Sequence, residues 1–451
     1  MGDFTAFREK MERAEVREAA ILAFERAYGR LVSGESGLLA EEAIEPSSGI
    51  PAAGGEGGAE FSPELLGQTV VIKLNGGLGT SMGLQKAKSL LEVKDGKSFL
   101  DLMVRQVKHL RDETGAKVRF LLMNSFATSA DTRAALEGGP LAGEDCELMQ
   151  NQVPKVDAAT LAPVEWPADP DLEWCPPGHG DLYPALVGSG WLDRLLDAGV
   201  RYAFVSNSDN LGAVLDAGLL QYFADRDAPF LMEVTRRTES DKKGGHLAKR
   251  SGDGRLVLRE VAQCPEDDLA SFQDIDRHRF FNTNNLWLRL DVLKDVMAAQ
   301  GGVLPLPVIR NAKTVDPRDK ESTPVIQLET AMGAAIECFE GAAAVEVPRS
   351  RFAPVKTTGD LLALRSDAYE VRDDGCVVLA TRREGVPPVI KLGADYKMVD
   401  SLEALGVPSL VEADSLELEG LFAFAPGAVV RGAVQRRNPN GEREVLAGVV
   451  A

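Results

Sequence analysis

Val70-Val71-Ile72-Lys73-Leu74-Asn75-Gly76-Gly77-Leu78-Gly79-Thr80-Ser81-Met82-Gly83-Leu84-Gln85-Lys86-Ala87-Lys88 runs a short apolar β-type segment directly into a glycine-dense loop. Two lysines follow before Ser89 opens a new apolar stretch. Glycines let backbone N–H groups turn inward and approach an anion closely, and the lysines add charge that backbone dipoles lack. The stretch therefore reads as a phosphate-holding loop at the end of a strand. It fits neither familiar phosphate motif. A P-loop needs Gly-Lys followed by Ser or Thr, and Gly83 is followed by Leu84; the dinucleotide fingerprint needs glycine where Met82 stands. An ordinary glycine-rich strand-to-helix turn is the competing reading.

The rest of the chain sets the context. Its 451 residues leave room for a large core and two or three domains. A hydrophobic share of 44% with 26% charged residues is that of a globular protein in water. No apolar run reaches membrane-spanning length, and Met1-Gly2-Asp3-Phe4 begins no signal peptide. Cys146, Cys175, Cys264, Cys338 and Cys376 are scattered and odd in number, so they read as reduced thiols in the cytoplasm, not as disulfides or zinc ligands. A net charge of −19 argues against nucleic acid or anionic lipid as partners. Local lysines matter more against that background.

Residues 3–33 carry apolar positions at helical spacing (Phe7, Met11, Ile21, Phe24, Tyr28, Leu31), and a Gly/Pro/Ala/Glu-rich linker is expected over about 45–60. Residues 1–60 are thus an expected helical appendage. From Gln68 onward, strand candidates (Thr69–Leu74, Val118–Met123, Tyr202–Ser206, Pro229–Val234) alternate with helical ones (Phe99–Glu113, Gly190–Ala198). This is the pattern of an α/β sheet covered on both faces, with ligands at the carboxyl ends of its strands. A catalytic domain is expected over 61–365. Beyond it, short apolar strands punctuated by Gly420, Gly427 and Gly432 fit either a β-helix or a small sheet.

Four further segments carry chemistry. Asp209, in Asn207-Ser208-Asp209-Asn210 just past a strand, suits a Mg²⁺ ligand or an Asx turn equally. Trp174-Cys175-Pro176-Pro177-Gly178-His179-Gly180-Asp181 is a stiffened loop in which His179 is placed to donate a hydrogen bond. Phe281-Asn282-Thr283-Asn284-Asn285-Leu286-Trp287 offers amides suited to sugar hydroxyls, or to capping a strand. Val347-Pro348-Arg349-Ser350-Arg351-Phe352-Ala353-Pro354-Val355-Lys356 is a basic, proline-stiffened strip in an acidic chain.

Taken in chain order from the glycine loop, and with Gln327-Leu328-Glu329-Thr330-Ala331 between the last two, these segments closely resemble the eukaryotic-type UTP–glucose-1-phosphate uridylyltransferases, or UDP-glucose pyrophosphorylases, over about residues 60–425. The resemblance implies a GT-A-like, Rossmann-like nucleotidyltransferase domain with a mixed sheet, and a small β-helical C-terminal domain over 366–451. It implies UTP and glucose 1-phosphate as substrates, UDP-glucose and pyrophosphate as products, and Mg²⁺ as cofactor. Leu74, Asn75, Gly76 and Gly77 match the nucleotide loop, Lys88 the triphosphate lysine, Gln152 and Gly178 the uracil contacts. Asp209 matches the metal ligand and nucleotide contact, and Lys356 the catalytic lysine. His179, Asn207, Gly245, Asn282, Asn285 and Glu329 are matched to the sugar side. Two departures stand out. Leu84-Gln85-Lys86-Ala87-Lys88 replaces a Cys-Lys-Gly-Pro-Lys turn, and the chain stops at Ala451 while eukaryotic members continue and form homo-oligomers through that end. A broad UDP-sugar or UDP-N-acetylhexosamine pyrophosphorylase is the nearest alternative. A silent sugar-nucleotide sensor is a distant one, because Lys88, Asp209 and Lys356 are all present.

Overall fold

A computed structural model describes residues 3–53 and 62–451. Its centre is a mixed ten-stranded sheet. Thr69–Asn75, Arg119–Asn124, Glu147–Met149 and Tyr202–Asn207 run parallel, and Phe280–Arg289 lies antiparallel beside Tyr202–Asn207. Phe230–Arg236 pairs with Phe280–Arg289 and, in parallel, with Ala343–Glu346.

Alternation along the parallel strands builds two cores. Val71, Phe120, Leu122 and Phe204 feed one, while Val70, Ile72, Leu121, Met123, Ala203 and Val205 feed the other. Successive side chains of a strand point to opposite faces, so strands apolar throughout must be covered twice. Phe99–Thr114, Ala217–Arg226 and Thr358–Arg365 cover the first face; Leu182–Gly188, Trp191–Asp197 and Leu290–Ala299 cover the second. The start of Phe99–Thr114 is fixed by a capping box, with Asp101 N donating to Ser98 Oγ (3.1 Å) and Ser98 N to Asp101 Oδ2 (2.8 Å). All six expected strands and helices of this core form, with ends shifted by one or two residues.

The amino-terminal segment forms two helices, Thr5–Arg13 and Glu18–Val32. Phe7, Met11, Phe24 and Tyr28 pack with Val153, Val156, Cys175 and Leu328, so these helices brace the strands behind the Gly178 loop. The expected linker is not free at its start. Ile44–Pro46 pairs with residues 248–250 as an edge strand, and Ala52 bridges to Glu346. Its residues 54–60 lie outside the described residues.

Beyond residue 388 the chain alternates between two small sheets whose paired strands are all parallel. Val389–Leu392, Ser409–Glu419, Val429–Arg437 and Val449–Val450 form one; Phe422–Phe424 and Glu444–Leu446 form the other.

Candidate active site

Thr69–Asn75 and Tyr202–Asn207 are parallel neighbours with Leu74 opposite Asn207, so the glycine loop and the Asp209 loop leave the sheet side by side. Ser208 N donates to Leu74 O at 3.1 Å. The glycine loop folds back until Lys88 N reaches Gly77 O (3.0 Å). Lys88 Nζ then donates to Asp209 Oδ2 and to Val355 O, both at 2.6 Å. Asp209 Oδ1 is buried with no donor among the described residues. A buried carboxylate oxygen without a donor is costly, so its presence in a half-buried corner marks capacity held for something else.

The basic strip is laid along the same corner. Val355 N donates to Asp209 O (3.1 Å) and Ala353 N to Asn210 Oδ1 (3.0 Å). Lys356 emerges exposed, its Nζ 5.7 Å from the Phe352 ring centre. Leu74, Gly76 and Asn207 are half-buried here and Gly77 is exposed. Asn75 turns inward: its Nδ2 donates to Asn124 Oδ1 (2.8 Å) and Thr132 Oγ1 (3.0 Å), anchoring the loop root.

A second wall is tied together by Gln150 and Asn151. Gln150 Nε2 donates to Gly178 O (3.0 Å), and Asn151 N donates to the buried Asp181 carboxylate (2.7 Å). Gln152, half-buried, comes next along this wall. Gly178 has φ +79°, and a Cβ there would sit 2.5 Å from Thr330 O. Only glycine permits that approach. The close neighbour of Gly178 is thus the 329–330 backbone, which also brings in Glu329, itself an acceptor from Asn311 Nδ2 (2.8 Å). His179 Nδ1 accepts from Met332 N at 3.1 Å. Burial holds its imidazole neutral, lowered to about 4, which puts the proton on Nε2 and makes Nε2 the donor.

The third group surrounds Gly245. Asn282 N donates to Gly245 O (3.2 Å), and Asn282 Nδ2 donates to Asn284 Oδ1 (2.9 Å). A Cβ on Gly245 would stand 2.6 Å from the Glu260 carboxylate. Burial raises the Glu260 carboxyl, and the Lys356 charge opposes that rise. Asn285 sits deeper than the sequence suggests. It is fully buried, its Nδ2 donates to Glu233 Oε2 (2.9 Å) and Arg351 O (3.2 Å), and its Oδ1 accepts from Asn210 (3.4 Å). The amide-rich segment lies inside the strand Phe280–Arg289, not ahead of it.

Sequence reasoning missed Gln150 and Glu260. Gln150 stands two positions from Gln152 in Gln150-Asn151-Gln152, and no pattern distinguishes the two amides. Glu260 is one acid among 69 Asp and Glu, and only pairing of 246–250 with 256–259 brings it beside Gly245. Among the described residues no group of three or more His, Cys, Asp and Glu side chains could hold a metal ion. Any ion here must complete its shell with water or substrate oxygens.

The family model described as UTP--glucose-1-phosphate uridylyltransferase matches residues 35–431. The probable UTP--glucose-1-phosphate uridylyltransferase of Schizosaccharomyces pombe is 42% identical over 378 residues, covering 83% of this chain and 74% of that protein. The Hordeum vulgare UTP--glucose-1-phosphate uridylyltransferase is 42% identical, over 82% of this chain and 77% of its own. Among solved structures, a mutant UDP-glucose pyrophosphorylase from Leishmania major in complex with UDP-glucose superposes with a TM-score of 0.94 at 49% identity, covering 100% of this chain and 98% of that one. The Trypanosoma brucei UDP-glucose phosphorylase gives 0.90 at 49% identity, with 100% of each chain covered. On its sequence and its fold alike, the chain belongs to the UTP--glucose-1-phosphate uridylyltransferase family.

Proposed function

We propose that this chain transfers the uridylyl group of UTP to glucose 1-phosphate, reversibly, giving UDP-glucose and pyrophosphate. Beside family membership, one observation carries the reading: Lys88, Asp209 and the strip ending in Lys356 converge at the carboxyl ends of two parallel strands.

The nucleophile is a phosphate oxygen of glucose 1-phosphate, already anionic, so no general base is required. It attacks the α-phosphorus of UTP in line; a new O–P bond forms as the bond to the bridging oxygen breaks and pyrophosphate leaves. The barrier lies in bringing two polyanions together, so positioning and charge neutralisation supply the catalysis. Lys88 meets the triphosphate from the glycine loop, and Lys356 meets the phosphates from the opposite strip. Loop N–H groups at Gly76 and Gly77, with Leu74 and Asn75 behind them, donate to the leaving group. Gln152 and the backbone at Gly178 pair with the imide edge of uracil, Gln150 bracing Gly178. A base without the matching donors and acceptors leaves buried groups unpaired. His179 Nε2, Asn207, Gly245, Asn282 and Glu329 line the sugar side with Glu260, and Asn285 supports them from behind.

Asp209 fits the role of Mg²⁺ ligand, because its Oδ1 is buried without a donor among the described residues while Oδ2 pairs with Lys88. Mg²⁺ needs only one or two protein carboxylates when phosphates and water complete its shell. When bound, the ion supplies charge neutralisation at the phosphates.

We read residues 61–365 as a GT-A-like catalytic domain, residues 1–60 as its helical appendage, and residues 366–451 as a short β-helix. The alternation of the chain between two parallel sheets supports the last. We read that end as the surface through which copies of the chain associate; Val389, Val407, Val445 and Val449 are exposed there. Five free cysteines suit a reducing compartment such as the cytoplasm, and none of the described helices is long and apolar enough to cross a membrane.

Pyrophosphate release from UTP and Mg²⁺ with a panel of sugar 1-phosphates tests the reading. Release with glucose 1-phosphate alone is expected. Equal release with N-acetylhexosamine phosphates overturns the sugar assignment, and no release with any sugar overturns the activity.

A further inference from the structure

On the face of the sheet beneath Phe99–Thr114 and Ala217–Arg226 lies a cavity of about 600 Å³. None of the described residues that line it is among the proposed substrate contacts. The volume is that of a small-molecule site. Its walls are largely apolar, with Met103, Val107 and Leu110 on one side and Leu215, Leu219 and Tyr222 on the other.

Lys73 lines it too and is buried, its Nζ donating to Ser206 Oγ (2.8 Å) and Ala213 O (2.5 Å). Both acceptors are neutral. Among the described residues no carboxylate comes within 4.0 Å of Lys73 Nζ. The acids lining the cavity are already engaged: Glu113 with His109 (3.3 Å), Asp374 with Arg372 (3.0 Å), and Asp216 as acceptor from Leu219 N (2.8 Å). An ammonium has three donors, and a buried one with two neutral acceptors and no carboxylate in contact is costly. Burial, with the Arg351 charge adding to it and the Glu233 charge opposing it, pushes Lys73 down to about 7.

We propose that this cavity is a regulatory site for a small apolar monoanion, with its head group on Lys73 and its body against the apolar walls. Occupancy would alter turnover, because three segments that carry the active site turn their inner sides to the cavity. Lys73 lies three residues before Gly76 on the strand that opens into the glycine loop. Ala213 closes the loop of Asp209, its N–H donating to Asn210 O (3.2 Å). Arg351 also lines the cavity, and its carbonyl accepts from Asn210 Nδ2 (3.0 Å) at the head of the strip leading to Lys356. The regulatory half rests on the uridylyltransferase reading; the binding half does not.

The fluorescent apolar anion 8-anilinonaphthalene-1-sulfonate is the probe. Its titration into the full chain should saturate, survive excess UDP-glucose, and reverse with 2-naphthoate but not with neutral 2-naphthamide. Affinity should fall about tenfold or more in Lys73→Met, which removes the charge, and in Ala217→Trp, which fills the mouth from the first turn of its helix. Should Lys73→Met fail to fold, Ala217→Trp and the amide control carry the test. Unchanged affinity in Ala217→Trp, displacement by UDP-glucose, or equal displacement by the amide overturns the site. Saturating 2-naphthoate should change kcat for pyrophosphate release about twofold or more in the wild type and not in Ala217→Trp, whose basal turnover is retained. Binding without that change overturns the regulatory half. A chain with no transferase activity would fail the earlier reading and still report on the site through the dye.

Discussion

Two carboxylates stand behind the same loops and are treated in opposite ways. Glu233 is fully buried and accepts four hydrogen bonds: Trp287 Nε1 (2.9 Å) and one Arg351 nitrogen (2.7 Å) on Oε1, and Asn285 Nδ2 (2.9 Å) and Arg351 Nε (2.8 Å) on Oε2. Asp209 is half-buried, pairs with Lys88 through Oδ2, and leaves Oδ1 without a donor. A buried charge with every lone pair matched is a scaffold, since any ligand would have to break what is already satisfied. A carboxylate with an unmatched oxygen, beside a lysine and an anion-holding loop, is poised for chemistry. The amides and arginine of the Asn282–Trp287 and Arg349–Arg351 motifs divide along this line. Asn285 and Arg351 lie on the scaffold side and exposed Lys356 on the open side, while Asn282 is buried and bonded to Asn284.

Glu233→Ala should give the largest effect on stability. It strands the Arg351 guanidinium in the core and should cost about 3–5 kcal/mol in urea unfolding. A loss under about 1 kcal/mol would show that the network is not a scaffold. Lys356→Ala should do the reverse. Its kcat should fall about 100- to 1000-fold, with the KM for UTP changed by less than about threefold, while the melting temperature stays put because Lys356 is exposed. Comparable turnover in the mutant would remove Lys356 from the chemistry.

A third effect is a pH dependence at the second wall. Burial pushes the Asp181 carboxyl up to about 7, against the Asn151 hydrogen bonds. The folded state therefore keeps this proton to a higher pH than the unfolded chain, whose value is 3.8. Between those two values the native state binds more protons, so stability falls as pH rises and levels off above the upper one. The stability of the wild type relative to Asp181→Asn, followed by urea unfolding across that window, should fall with rising pH. A flat difference would mean that Asp181 is ionised throughout.

The glycine loop, the parallel strands and the order of the motifs were legible because each depends on neighbours in sequence: an apolar run, a glycine cluster, a lysine at fixed spacing. What escaped depends on distant pairing. Ile44–Pro46 has the composition of a linker, yet it completes hydrogen bonds offered by residues some 200 positions later. Asn285 and Asn282 look alike in sequence and both are buried, and only the position of Glu233 across the strand pair ties Asn285 to a carboxylate. Gln150 and Glu260 carry no local signal, because their meaning comes from Gly178 and Gly245 on other segments. The resemblance supplied residue roles that composition and spacing could not, and the geometry then separated open positions from filled ones.

The most direct test is a Mg²⁺ titration of pyrophosphate release by the wild type and Asp209→Asn, with both melting temperatures measured alongside. An open Asp209 oxygen meant for the ion predicts a requirement raised about tenfold or more in the variant, with melting unchanged. Superimposable titrations, or a collapse of melting instead, would contradict it and place Asp209 with Glu233 in the scaffold.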